Sequence, residues 1–271
     1  MTPHGRVHGG MTIRGCRARG SASRLLCEAA LAAALLLSRQ ARAQSVAPSW
    51  TRAIWYSYSA DHPAGQRWQL HLEGSYRPTI GSPARQWMVR PGVNIRLADP
   101  VVLSLAYGYF DTHPGGLAVD DGETREHRFQ QQLEYSARWR RNVIRHRFRM
   151  EERWMSSPHR DGPRDQWRWQ DRSRYLLRVD RPLPLLANGA SPVFSVYEEV
   201  LFSFASPAAS AFEQNRVYGG VTWRLPRRFA VETGVMHQAV KTTAGPFRHN
   251  AIFMVTFRNN APLRSLFGWL R

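Results

Sequence analysis

Residues 142–154 read Asn-Val-Ile-Arg-His-Arg-Phe-Arg-Met-Glu-Glu-Arg-Trp. Alternation puts Ile144, Phe148, Met150 and Trp154, with His146 and Glu152, on one face. It puts Arg145, Arg147, Arg149, Glu151 and Arg153 on the other. A period of two belongs to an extended strand, whose successive side chains point to opposite faces. In a soluble sandwich the arginine face would lie in water. In a strand that crosses a bilayer it must turn away from lipid. One lipid-facing Arg near the midplane costs about 2–4 kcal/mol. Three or four of them would cost on the order of 10 kcal/mol, comparable to the whole stability of a domain. Such a strand spans a membrane only with its arginines directed into a polar lumen.

The pattern recurs outward from this segment. Over residues 66–77, Trp68, Leu70, Leu72, Gly74 and Tyr76 oppose Arg67, Gln69, His71, Glu73 and Ser75. Over 85–97, Trp87, Val89, Pro91, Val93, Ile95 and Leu97 oppose Gln86, Arg90, Asn94 and Arg96. Further strands are expected over 101–110, 123–139, 167–180, 193–204, 212–224, 229–240 and 247–258, with 50–60 as another. Several are long enough to cross a bilayer when tilted. The expectation is an all-β, antiparallel transmembrane β-barrel of about ten to twelve strands.

Connection lengths alternate. Short ones follow Leu97, Trp139 and Arg224; longer ones run over 111–122, 156–166, 205–211 and 241–246. Outer-membrane barrels have short periplasmic turns and longer external loops. That places the end of the last strand in the periplasm. An N-terminus on the same side requires an even strand number. Segment 50–60 then either stays outside the barrel or pairs through a strand not visible in the sequence. Trp50, Trp55, Tyr56, Trp139, Trp154, Trp167, Trp169 and Trp223 fall near strand ends, as expected of interfacial girdles. The last strand ends in alternating aromatics, Phe253 to Phe257, which suits delivery to the barrel-assembly machinery. The fourteen residues after Phe257 depart from the usual terminal aromatic.

The N-terminus reads as an export signal. Arg6, Arg14, Arg17, Arg19 and Arg24 form a basic region, residues 25–37 an apolar run interrupted by Glu28, and Ala41-Arg42-Ala43 a cleavage site. The expected organisation is a signal peptide over 1–43 and a barrel domain over 44–271, in the bacterial outer membrane. Whether translation starts at Met1 or Met11 stays open. No apolar run long enough for a membrane helix follows the leader. Both cysteines, Cys16 and Cys27, lie in the leader, so thiol chemistry and cysteine metal sites are excluded from the mature chain. The leader holds seven Arg and one Glu. Of 38 basic and 20 acidic residues, 31 and 19 remain, a formal +12, with Lys241 the one lysine. The arginines alternate with apolar residues and form no block, which argues against nucleic acid as a partner.

Several runs carry a family likeness. They are Glu126-His127-Arg128-Phe129-Gln130-Gln131, the arginine-rich run 145–153, Arg174-Tyr175-Leu176-Leu177-Arg178, Tyr197-Glu198-Glu199-Val200-Leu201, and Phe212 to Val221 with its Gln-Asn-Arg-x-Tyr-x-Gly core. The chain resembles the DUF2490 family over nearly the whole mature length. The resemblance implies an outer-membrane barrel of uncharacterised function. It implies no catalytic residues.

By alternation the lumenal face should include Glu126, Arg128, Glu134, Arg145, Arg147, Arg149, Glu151, Arg153, Arg172, Arg174 and Arg216. Which of Glu198 and Glu199 points inward stays open. Carboxylates beside guanidinium groups pair bidentately. The main expectation is a salt-bridge network filling a narrow lumen; the sharper one is a path or site for an anionic solute. The rival class is a membrane-embedded hydrolase acting on outer-membrane lipid, which needs a Ser activated by His. His237-Gln238-Ala239 lacks that Ser, His127 should face away from Glu126, and Ser173, Ser195 and Ser203 have no evident partner. His62, His113, His146, His159, His237 and His249 show no ligand spacing, so no metal and no cofactor is expected. Gly219-Gly220 within a strand reads as easing curvature or as room for a bulky neighbour. The loops 112–122 and 158–165 are rich in Pro, Gly and Asp and suit an external partner. The expected protein is non-enzymatic, either structural or a narrow solute pore, with outer-membrane lipid around it.

Overall fold

The computed structural model describes residues 49–114, 123–157, 166–184, 191–204, 211–242 and 246–262. The chain divides into Met1–Val46 and Ala47–Arg271. The expected leader lies outside the described residues, as do His159 and most of the loops 112–122 and 158–165. No helix among the described residues is long and apolar enough to cross a membrane.

Alternating sequence makes eleven strands among the described residues. They are β1 Trp50–Pro63, β2 Trp68–Pro78, β3 Arg85–Ala98, β4 Val101–His113, β5 Thr124–Trp139, β6 Asn142–Ser157, β7 Gln166–Pro182, β8 Val193–Ser203, β9 Phe212–Arg224, β10 Phe229–Val240 and β11 Arg248–Asn259. Each pairs antiparallel with its sequence neighbour, and β1 closes the barrel against β11. That closure is parallel, from Trp50 opposite His249 to Ala60 opposite Asn259.

The closure corrects the expectation of an even strand number. Residues 50–60 neither stay out of the barrel nor need an unseen partner. Hairpins reverse direction at every step, so with eleven strands the first and last run the same way and can only meet in parallel. The premise that failed was an N-terminus at the end where β11 finishes. β1 starts at the end where β11 starts, so the two ends of the strand series lie at opposite rims.

Connections 64–67, 99–100, 140–141 and 225–228 share the rim where β11 ends, together with a longer one, 183–192. The other rim carries 79–84, 114–123, 158–165, 204–211 and 241–247. The parity of short and long connections therefore holds except at 183–192.

The outer surface is apolar. Leu70, Leu72, Val89, Leu133, Phe148, Met150, Leu177, Val196, Val217, Val235 and Phe253 are all exposed, with no layer of the described residues packed over them. Exposed tryptophans bound this band. Trp50, Trp87, Trp154, Trp167 and Trp169 lie toward the long-connection rim, and Trp68, Trp139 and Trp223 toward the other. From Asn142, the partner of Trp139, to Trp154 is twelve residue steps. At ~3.3 Å per residue and a tilt of roughly 40°, this comes to about 30 Å along the barrel axis. Trp55 corrects the girdle expectation: its ring lines the lumen.

Candidate functional site

The lumen is a cavity of about 610 Å³. Alternation carries one side chain in two into it. Glu126, Arg128 and Glu134 reach it from β5, Arg145, Arg147, Arg149 and Arg153 from β6, Arg172 and Arg174 from β7, and Arg216 from β9. Glu151 is fully buried beneath these guanidinium groups. All eleven residues expected on the lumenal face by alternation therefore lie there.

The register sorts them into clusters. Toward the long-connection rim, Glu151 accepts from Arg172 Nε at 2.7 Å and from Arg174 at 2.9 Å. Arg128 stands 3.4 Å from it and Arg149 3.7 Å. Glu126 takes Arg153 through both oxygens, at 2.7 and 3.0 Å, and Arg128 at 2.7 Å. Arg172 also reaches Glu213 at 3.1 Å. The Arg128 guanidinium lies 3.9 Å from the Phe110 ring centroid, a cation–π contact.

Toward the short-turn rim, Glu232 receives Arg258 at 2.6 Å and Arg178 at 3.1 Å. Asp180 receives Arg178 at 2.7 Å and Arg145 at 3.1 Å, and Glu134 lies 4.0 Å from Arg145. Midway, Glu199 joins Arg147 and Arg216, each at 2.9 Å, with Arg174 at 3.8 Å. Arg90 pairs with Glu73 and donates to Gln130 at 3.0 Å. Arg77 donates to Gln86 at 2.9 Å and lies over Trp55 at 4.3 Å.

The choice between Glu198 and Glu199 is settled by the neighbour strand. Glu199 stands opposite Arg216 and points inward, while Glu198 is exposed and accepts from Asn215 at 2.7 Å. The eleven-residue expectation left out Asp61, Glu73, Arg77, Arg90, Arg178, Asp180, Glu232 and Arg258. The signal was partly present, since Glu73 and Arg90 already fall on the polar faces of their segments.

The opposite wall is apolar. Ala53, Tyr218, Met236 and Ile252 form a buried cluster, with Trp55, Tyr197 and Met254 packed against it. Tyr218 stacks on Tyr197 at 4.6 Å. Gly220 and Gly234 face each other across β9 and β10 beneath the Tyr218 ring. A Cβ on Gly220 would collide with that ring and stand 2.6 Å from the Thr233 carbonyl oxygen. The run Gln214-Asn215-Arg216-Val217-Tyr218-Gly219-Gly220 thus has a physical reading: Gln214, Arg216 and Tyr218 point inward, and the second glycine makes room for the tyrosine.

His71 lines the lumen beside Asp61, and the histidines singled out by the sequence lie elsewhere. His127 sits on the outer face, against Tyr107, Tyr109 and Trp167. His146 lies outside too, bonded to Tyr175 at 2.8 Å. His237 and His249 bond to each other at 2.9 Å; His249 stacks on Trp50 and His237 lies tilted against it. His62 is buried and meets the Ala261 carbonyl oxygen at 2.7 Å. Ser195 donates to Asp180 at 2.6 Å and accepts from Arg178 at 2.8 Å, Ser203 accepts from Gln170, and Ser173 is on the outer face. Among the described residues no group of three His, Cys, Asp or Glu is placed to hold a metal ion.

A comparison with curated proteins returns no match. The family model described as "Protein of unknown function (DUF2490)" matches residues 52–249, from β1 into β11. That span takes in the arginine wall and the Tyr218–Gly220 packing and ends two residues into β11, and so the chain belongs to the DUF2490 family.

Proposed function

We propose that this chain is a non-enzymatic bacterial outer-membrane barrel whose lumen admits small anions. The observation that carries the reading is the lumenal charge. Twelve arginines line the cavity against six carboxylates, and Glu151, Asp180 and Glu213 beside them bring the acids to nine. A low-dielectric wall lined by one sign of charge concentrates ions of the other. The apolar outer band and its two tryptophan rings suit outer-membrane lipid. Long connections then face outward, and β11 ends on the periplasmic side, where the barrel-assembly machinery works. The signal peptide over 1–43 supplies the route.

A second reading, a closed structural barrel, is favoured by the ion pairs across both rims. Planar-bilayer recording on the purified protein separates the two. The conduit reading expects stable steps and a reversal potential shifted toward the anion in a salt gradient. Silence leaves the structural barrel; cation selectivity removes the anion reading. Release of acyl chains from outer-membrane lipid, lost on His237→Ala, would overturn the non-enzymatic assignment. Recovery of the full chain in the cytosol with its leader attached would overturn the location.

A further inference from the structure

The surplus lumenal charge is not spread evenly. Toward the short-turn rim, Arg145, Arg178 and Arg258 meet Glu134, Asp180 and Glu232, three against three. Toward the long-connection rim, Arg128, Arg153 and Arg172 meet Glu126, Glu151 and Glu213, again three against three. Between them lie Arg77, Arg90, Arg147, Arg149, Arg174 and Arg216, against Glu73 and Glu199. Arg149 and Arg174 also reach Glu151, at 3.7 and 2.9 Å, but that carboxylate is already counted against the rim arginines, so six guanidinium groups and two carboxylates leave an excess of four positive charges in this belt. The remaining lumenal acid, Asp61, is held by His71 at 2.8 Å and Asn94 at 2.6 Å.

Neutral amides fill the gap. Arg149 spends two donors on the Gln132 oxygen, at 2.9 and 2.6 Å, Arg77 donates to Gln86 and Arg90 to Gln130. An amide oxygen accepts a hydrogen bond but cancels no charge. Arg90, Arg149 and Arg174 side chains are each 8% exposed. The Nε atoms of Arg77, Arg90 and Arg174 are buried without an acceptor among the described residues. The cations repel one another: Arg147, Arg90 and Arg174 act on Arg149, and Arg216, Arg90 and Arg174 on Arg77. Buried, mutually repelling charges destabilise a fold unless something of opposite sign enters.

We infer that this belt is a binding site for a compact anion of the phosphate class carrying two or more charges. The cavity of about 610 Å³ has the size of a small-molecule site. Guanidinium groups present a planar fork that matches phosphate oxygens bidentately, which lysine cannot do. Trp55 fixes two of the forks, with Arg77 at 4.3 Å and Arg216 at 5.5 Å from its ring. The inference rests on the reading that the lumen admits anions.

The test is calorimetric titration of the full-length protein, folded in detergent, with pyrophosphate, and with citrate and chloride for comparison. Saturable pyrophosphate binding is expected, weakened at least tenfold by Arg149→Gln and by Arg77→Gln, and unchanged by Arg258→Gln at the rim. Arg149→Gln should also raise the thermal stability of the protein without ligand, because it removes a repelled cation. Absence of saturable binding, equal weakening by Arg258→Gln, or binding of chloride as tight as pyrophosphate overturns the site. Citrate binding tighter than pyrophosphate overturns the phosphate class. Pyrophosphate binding with silent bilayers keeps the site and removes the conduit. Conductance without pyrophosphate binding does the reverse.

Discussion

On β6 and β7 the lumenal positions are Arg145, Arg147, Arg149, Glu151, Arg153 and Arg172, Arg174, Leu176, Arg178, Asp180. On β10 and β11 they are Glu232, Gly234, Met236, Gln238 and Ile252, Met254, Thr256, Arg258. The first wall fills the lumen with paired charges, whereas the second packs apolar groups at its middle, between polar residues toward the two rims. The second wall also backs the parallel seam. Ala53 stands opposite Ile252 and Trp55 opposite Met254, so the cluster bridges the two strands that hairpin geometry does not join. Parallel pairing is slightly weaker per residue than antiparallel, and apolar packing behind it compensates. The charged wall has no such need, since β5, β6 and β7 are joined by antiparallel ladders. Replacing buried ion pairs by apolar groups of similar volume is often neutral or stabilising. Stability alone therefore does not account for twelve lumenal arginines, which is why the wall is read as functional.

The largest effect is expected from breaking the charged wall at its centre. Glu151→Ala leaves Arg128, Arg149, Arg172 and Arg174 around an empty position. Removing one partner of a buried pair costs about 3–5 kcal/mol, and here one carboxylate serves four cations. The variant should lose the heat-modifiable gel shift of a folded barrel, or unfold at markedly lower urea. If it unfolds like the parent, Glu151 is not the keystone of that wall.

On the apolar side, Ile252→Ala should cost about 2–4 kcal/mol, the range for a buried aliphatic truncated to Ala. The cavity would open behind the seam, next to Ala53, Tyr218 and Met236. Urea unfolding in detergent measures it. A loss well under 1 kcal/mol would mean that the ladder holds the seam without help. Gly220→Ala is a smaller insult to the same wall. Its Cβ meets the Tyr218 ring and the Thr233 carbonyl oxygen, and such overpacking costs about 1–3 kcal/mol. Near-ultraviolet dichroism should show the Tyr218–Tyr197 stack disturbed.

The two walls also differed in how far the sequence disclosed them. In β6 the faces are chemically opposite, so alternation alone assigns all five lumenal residues. In β11 both faces are apolar, Ile252 and Met254 inward, Phe253 and Val255 outward, and alternation has nothing to sort. Trp55 sits in the run Ile54-Trp55-Tyr56, where the preference of Trp for interfaces pointed the wrong way. Glu198 and Glu199 are adjacent acids, and only the Arg216 of the neighbouring strand selects between them. Parallel closure was hidden for a related reason. It depends on pairing between residues about two hundred positions apart, whereas the parity argument took the rim of the N-terminus as given.

The smallest expected effect compares the turns at the short-connection rim. Arg140 lies at φ 55° in the turn that joins β5 to β6 under the charged wall, and Arg228 at φ 64° in the turn that joins β9 to β10 under the apolar one. An L-residue in the left-handed region pays about 1–2 kcal/mol, and glycine relieves this at an entropic cost of about 0.5–1 kcal/mol. Arg140→Gly and Arg228→Gly should each stabilise by about 0.5–1 kcal/mol, the difference between the two terms. Arg140 also lies 5.3 Å from the Trp139 ring, a contact the substitution removes. Exposed cation–π contacts are worth about 0.5–1 kcal/mol, so Arg140→Gly should gain less than Arg228→Gly. Urea midpoints for the two variants, measured side by side in one detergent, read the difference directly. An Arg140→Gly gain equal to that of Arg228→Gly would show that the Trp139 contact contributes nothing to the rim of the charged wall.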